Sequence, residues 1–211
     1  SDYHVDAWVL EAGKEQWHLS CFYGEATRSL RYKTWNTMKR LRGESTLPWM
    51  CIGDFNKILR AEEQFGPNER DSAQMEAFRE CLADCGLADL GFSGYPFTWD
   101  NKRDMEENIQ VRLDRATCNA DFAQLFPAVE VQHVMAEESD HQALIIKAST
   151  ALAESRAKGV TRLHGPDMMV TMGWWLLHGL LPSQPISRAR SWWQHVAGSR
   201  KRPKPCKSGV E

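Results

Sequence analysis

Along the first 150 residues the apolar and polar positions fall into short segments of two periods. Asp6 to Glu11 and Trp17 to Gly24 are rich in strand-forming residues and frame a turn at Gly13-Lys14, which predicts two strands. Ser29 to Arg42 places Leu30, Thr34, Met38 and Leu41 on one face and Lys and Arg on the other. That spacing predicts an amphipathic helix, with Gly43 as its C-terminal cap. Trp49 to Gly53 is a nearly continuous apolar run, as a strand covered on both faces would be. A polar loop follows from Glu62 to Arg70. Ser72 to Cys85 then predicts a second helix with an apolar stripe of Met75, Phe78, Leu82 and Cys85. Asp71 can cap it, with Gln74 three residues on, and Gly86 ends it. After a loop from Gly91 to Pro96, Phe97-Thr98-Trp99 starts a short strand and Val111 to Thr117 forms another. Asn119 caps a short helix that Pro127 stops, and Val129 to Val134 and Ala143 to Ala148 complete the strands. Strands mixed with helices throughout imply an α/β layered domain.

The pattern changes near Thr150. Beyond it periodicity is weak, tryptophans come in pairs (Trp174-Trp175, Trp192-Trp193), and the chain ends in a basic run around Arg200 to Pro205. A boundary is therefore expected near 150, with 151–211 an irregular, poorly structured tail. Charge follows the same division. The formal net charge is -2, but residues 151–211 hold ten Lys/Arg against three Asp/Glu, which leaves an acidic body that repels nucleic acid unless cations cluster locally. The basic terminus reads as a solvated end or a nuclear import signal. Cys21, Cys51, Cys81, Cys85, Cys118 and Cys206 lack the spacing of a zinc site or of a secreted disulfide framework. Core or free thiols in a reducing compartment are expected. Met168 to Leu181 is apolar but interrupted, and it falls short of the ~20 residues needed to span a bilayer. A nuclear or cytoplasmic protein, neither secreted nor membrane-bound, is expected.

Candidate chemistry centres on Gly53-Asp54-Phe55-Asn56. A buried strand ending in Asp-x-Asn sets a carboxylate and an amide on the same side of the pleat. A second carboxylate beside an imidazole, at Ser139-Asp140-His141, would complete a site for a phosphate and a divalent cation.

These two segments belong to an ordered set with Cys21-Phe22-Tyr23-Gly24, Cys85-Gly86-Leu87-Ala88-Asp89-Leu90-Gly91, Phe97-Thr98-Trp99 and Arg112-Leu113-Asp114-Arg115-Ala116. On these motifs, from about Asp6 to Ala148, the chain resembles the endonuclease/exonuclease/phosphatase superfamily, and most closely the endonuclease domain of plant LINE-type (non-LTR) retrotransposons. The resemblance implies a DNase I-like layered sandwich of mixed β-sheets flanked by helices. It implies a metal-dependent phosphodiesterase that nicks DNA, with Mg²⁺ or Mn²⁺ as cofactor. Tyr23 would contact the reacting phosphate or its water, Asp54 would deprotonate the water, and Asn56 would hold water and phosphate. His141 would donate to the phosphoryl oxygen, Asp114 would fix the His141 tautomer, and Asp140 would help bind the metal. Thr98 and Trp99 would shape the wall, and Arg112 would bind substrate. The chemistry has its own rationale, because a phosphodiester yields when its anionic oxygens are neutralised while a carboxylate activates water.

The departures from the family pattern shape the expectation for activity. No residue among the first 22 matches the family's Asn and metal-binding Glu, so the domain is expected to be incomplete at its N-terminus and its nuclease activity weak or absent. Lys57 stands where plant elements usually carry Glu, and Gly66-Pro67 replaces a Gly-Gly loop. Three alternatives remain open: an active Mg²⁺-dependent nuclease or phosphatase using the remaining carboxylates, a non-catalytic module that binds nucleic acid through the basic tail, and an expressed remnant without function that folds poorly.

Overall fold

The computed structural model describes residues 4–10, 15–67, 71–104, 106–136, 139–149 and 168–172. The expected turn at Gly13-Lys14, Cys206, the paired tryptophans and the basic terminus lie outside the described residues. The chain divides into two units, Ser1–His178 and Gly179–Glu211, and every described residue belongs to the first.

Its elements run β1 (His4–Val9), β2 (Trp17–Tyr23), α1 (Tyr32–Glu44), β3 (Trp49–Asp54), β4 (Gln64–Phe65), α2 (Ser72–Asp84), β5 (Ala88–Asp89), β6 (Trp99–Asp100), β7 (Gln110–Val111), β8 (Asp114–Cys118), α3 (Ala120–Leu125), β9 (Ala128–Val134), β10 (Ala143–Ser149) and β11 (Met168–Met172). Among the described residues they form a sheet ordered β1-β2-β3-β8-β5, a second ordered β11-β10-β9, and a small third ordered β4-β7-β6. The first sheet is mixed: β2 and β3 run parallel while β3 and β8 run antiparallel. The mixed-sheet α/β class expected from the sequence is the one observed.

The apolar run at β3 explains the layering. Met50 and Ile52 pack with Leu144, Ile146 and Val131 of the second sheet. Trp49 and Cys51, on the alternate positions, pack with Met38 and Leu41 of α1 and Phe78 and Leu82 of α2. One strand thus feeds two cores, sheet on sheet and sheet on helices, and so has no polar face. The α2 stripe points as its periodicity predicts, as do Thr34, Met38 and Leu41 of α1, whereas Leu30 lies in a short 3₁₀ turn before α1 and is only half-buried. Asp71 caps α2 by accepting from the Ala73 amide, and Asn119 caps α3 by accepting from the Phe122 amide.

Several expectations are corrected. Gly43 is not a cap: α1 runs past it to Glu44 and ends at Ser45 in extended backbone. Gln64-Phe65, inside the expected loop, pair with β7. The expected strand from Val111 to Thr117 is broken in two, because the Thr98 hydroxyl takes the Leu113 and Asp114 amides (2.9 Å each) that a ladder would have used. Beyond the boundary expected near Thr150, β11 pairs antiparallel with β10 and extends the second sheet. Among the described residues no helix is long and apolar enough to cross a membrane, and Cys21, Cys51, Cys81, Cys85 and Cys118 are free thiols.

Candidate active site

Strand register assembles the site. Tyr23 pairs with Asp54 across β2 and β3, and Asp54 pairs with Asp114 across β3 and β8, so three candidate residues lie in one row at the end of the sheet. A bridge between Trp99 and His141 brings the segment before β10 beside them. Close backbone approach requires glycine on both sides of this row. A Cβ on Gly24 would lie 2.6 Å from the Phe55 backbone, and one on Gly53, at φ +148°, would lie 2.0 Å from the Phe22 carbonyl oxygen.

The row opens into a cavity of about 330 Å³ lined by Tyr23, Arg31, Asp54, Asn56, Trp99, Leu113, Asp140 and His141. Asp54 is held from below. Its Oδ1 accepts from the Asn56 amide at 2.7 Å and its Oδ2 from Asn56 Nδ2 at 3.1 Å, while Nδ2 also donates to the Gly24 carbonyl at 2.8 Å. This turn puts Asn56 at φ 51°, a left-handed conformation that asparagine tolerates better than most residues. His141 Nδ1 lies 2.9 Å from Asp114 Oδ2, which makes Nδ1 the donor and leaves Nε2 for a ligand. Asp140 is exposed on the rim and accepts from the Trp99 indole at 3.0 Å.

Electrostatics divides these groups. Burial, reinforced by the negative charge of Asp114, raises the Asp54 carboxyl to about 7, against the opposing pull of His141, the Asn56 amide and Arg31. Burial alone would lower His141, but the hydrogen bond and charge of Asp114, with Asp54 and Asp140 behind it, raise it to about 9. Near neutral pH the cavity therefore offers a carboxylate able to accept a proton and an imidazolium able to donate one.

Seven of the nine predicted residues meet at or directly behind this cavity, Asp114 reaching it through His141. Thr98 is fully buried and acts on the backbone of Asp114 instead of forming an exposed wall. Arg112, expected to bind substrate, is 5% exposed and turned away: its guanidinium donates to Glu63 Oε1 at 2.9 Å and Asp89 Oδ1 at 2.8 Å. Arg31 and Leu113 are lining residues that sequence reasoning missed. Arg31 sat on the polar side of an amphipathic helix, where an arginine carries no distinguishing signal.

The fold matches that of the endonuclease domain of TRAS1, a telomere-specific non-LTR retrotransposon, at a TM-score of 0.54 and 21% identity, over 68% of this chain and 62% of that domain. The chain thus spans less than two thirds of that domain's length. Other similar structures are the 3'-5' exonuclease NExo from Neisseria meningitidis (TM-score 0.47, 18% identity, 65% of this chain and 68% of that one) and the Xenopus laevis APE2 catalytic domain (0.44, 16%, 69% and 53%). No family model and no curated protein matches the sequence. The architecture, mixed sheets flanked by helices, is the fold of that TRAS1 endonuclease domain.

Proposed function

We propose that this chain is a phosphodiesterase domain of retrotransposon origin that acts on DNA, with weak turnover in the form described. The observation that carries the reading is the convergence of Asp54 and the Asp114–His141 pair on one cavity. Asp54, poised near neutrality, takes a proton from a water in the cavity, and Asn56 fixes the orientation of its two oxygens. His141 donates Nε2–H to a phosphoryl oxygen as charge develops, and Asp114 holds the ring in the tautomer and orientation that this needs. Trp99 and Tyr23 bound the space the substrate enters.

The donors present do not supply the ligand set for the divalent cation implied by the resemblance. Asp54 is engaged by Asn56, Asp114 by His141, and one Asp140 oxygen by the Trp99 indole. Among the described residues, no group of three or more His, Cys, Asp or Glu side chains converges as a metal site. This set does not fit a resident Mg²⁺ or Mn²⁺, which prefer several oxygen ligands. Charge stabilisation then falls largely to His141, and that is the ground for weak turnover.

The test is nicking of supercoiled plasmid by the full 211-residue chain, with Mg²⁺ or with chelator. Slow nicking that disappears in both Asp54→Asn and His141→Ala is expected. Nicking that survives both substitutions, or none at all from the unaltered chain, would overturn the reading. Turnover in the ordinary enzyme range of roughly 1–10³ s⁻¹ would refute the weakness alone.

A further inference from the structure

Among the described residues, β8 and β10 belong to different sheets and no ladder joins them. The bond between Asp114 of β8 and His141, just before β10, therefore takes its register from another element. Thr98, immediately before β6, meets both segments. Its amide donates to the Val111 carbonyl at 3.0 Å, and its carbonyl accepts from the Gln142 amide at 2.7 Å. Its hydroxyl accepts from the Leu113 and Asp114 amides at 2.9 Å each. Thr98 thus holds the residue after His141 with its backbone and Asp114 itself with its side chain. It is fully buried and does not line the cavity, so it cannot touch a substrate there.

The geometry leaves these segments little freedom. A hydroxyl oxygen has two lone pairs, and two neighbouring amides take them here, which fixes the Asp114 backbone in two directions. The β-branch restricts χ1, so the oxygen stays where those amides need it. The next two residues extend the same seam toward His141. The Trp99 indole donates to Asp140 Oδ2 at 3.0 Å, and the Asp100 amide donates to the Asp140 carbonyl at 3.0 Å. A shift of about 1 Å between the two segments would stretch the Asp114–His141 contact from 2.9 Å to beyond hydrogen-bond range.

We infer that Thr98 is a positioning residue of this site, a clamp whose hydroxyl and carbonyl set Asp114 and His141 in register across two sheets. Its effect on rate rests on the reading above that His141 donates a proton to a phosphoryl oxygen. Its effect on the Asp114–His141 bond stands without that reading.

The test uses the full chain and two readouts. One is the ring Nδ1–H proton of His141, a downfield NMR signal assigned by its loss in His141→Ala. The other is single-turnover nicking of supercoiled plasmid. Thr98→Val keeps the shape of the side chain but removes the acceptor. At a temperature where circular dichroism shows it folded, it is expected to lose the signal and to nick about 10²-fold more slowly, with unchanged affinity for a labelled duplex. Thr98→Ser keeps the hydroxyl and should restore the signal and most of the rate. If Thr98→Val does not fold, Thr98→Ala decides, because the space it leaves admits a water that satisfies the two amides without fixing them. It too should lose signal and rate. A folded Val or Ala variant that is merely less stable, and keeps both readouts, would overturn the inference and make Thr98 a structural residue. A folded Ser variant that loses both would also overturn it, by moving the role from the hydroxyl to the methyl group. Nicking that depends on Asp54 but not on Thr98 defeats this inference and leaves the enzymatic reading standing. A His141 signal that depends on Thr98 in a chain that does not nick does the reverse.

Discussion

Asp114 and Arg115 are consecutive residues of β8, so their side chains leave the sheet on opposite faces and enter two kinds of charged surroundings. On one face Asp114 meets Asp54 and His141, two carboxylates around one imidazole. On the other, Arg115 and Arg112 meet Glu63 and Asp89. Arg115 donates to Asp89 Oδ2 at 2.5 Å and Glu63 Oε2 at 2.8 Å, and Arg112 donates to the remaining oxygens of both acids. There two cations match two anions, and burial, which would raise both carboxyls, is outweighed by the arginines, so Glu63 and Asp89 are lowered. In the cavity burial is not outweighed, and Asp54 is raised to about 7. The difference lies in pairing and in depth, since Asp54 is buried whereas Glu63 and Asp89 are half-buried. The balanced cluster ties β5, β8 and the segment before β4 together, while the unbalanced one holds a group raised toward neutrality, as the proposed chemistry requires.

Removing one member from each side separates the two roles. Arg115→Ala strands Glu63 and Asp89 in a buried site and is expected to cost about 3–5 kcal/mol of folding free energy, measured by urea unfolding. Arg115→Met, which fills the space, should cost no less unless both acids are also replaced. In the cavity the loss appears in rate instead. Asp54→Asn and His141→Ala should each lower single-turnover nicking by about 10²–10⁴-fold. Asp54→Asn should not lower the urea midpoint, and His141→Ala should lower it only at pH values where His141 is protonated. A loss of stability on His141→Ala that persists above pH 9 would make its bond to Asp114 a structural pair like those of Arg115.

The two regions were not equally legible in the sequence. The candidate residues sit at or beside strand ends in short contiguous motifs, so Asp54-Phe55-Asn56, Asp114 and Asp140-His141 are legible without geometry. The helix stripes and the caps Asp71 and Asn119 were legible for a similar reason, since each depends on residues within one or two turns. The balanced cluster joins Glu63, Asp89, Arg112 and Arg115 across up to 52 positions, and no local period records such a meeting. Arg112 is a charge beside a motif, and its sequence position does not show that its partners are Glu63 and Asp89. The break between β7 and β8 was equally hidden, because it depends on the hydroxyl of Thr98 on another segment. Arg31 is a long side chain whose Cα position says little about where its charge goes.

Stability should respond to pH in opposite senses for the two regions. Glu63 and Asp89 are lowered in the folded state, so their contribution is present above the ordinary carboxyl range and is lost as pH falls through and below it. Asp54 is raised from 3.8 to about 7, so the folded state holds an extra proton in that window and stability declines as pH rises through it. His141, raised from 6.5 to about 9, adds stability that is full below 6.5 and is lost on the way to 9. Urea unfolding from pH 3 to 9 should therefore give a maximum on the acid side of neutrality. Arg115→Ala should flatten the acid limb and His141→Ala the alkaline limb, while nicking requires Asp54 ionised and His141 protonated and so peaks between about 7 and 9.

The smallest effect isolates Asp54 itself. Asp54 and Asp114 are directly opposed across β3 and β8, an arrangement in which like charges cost roughly 0.2–1 kcal/mol. Asp54→Asn removes that repulsion and retains an oxygen for the Asn56 amide, so at pH 8 the variant should be more stable than the unaltered chain by about that amount, even as nicking is lost. At pH 5 Asp54 is already protonated in the folded state and there is little repulsion to relieve, so the gain should be smaller. No such pH-dependent gain is available in the other region, where Asp89→Asn breaks a satisfied pair and is expected to destabilise at both pH values. A loss of stability in Asp54→Asn at pH 8 would mean that Asp54 is as well paired as Asp89, and the cavity would then be a second structural cluster and not a site held ready for a proton.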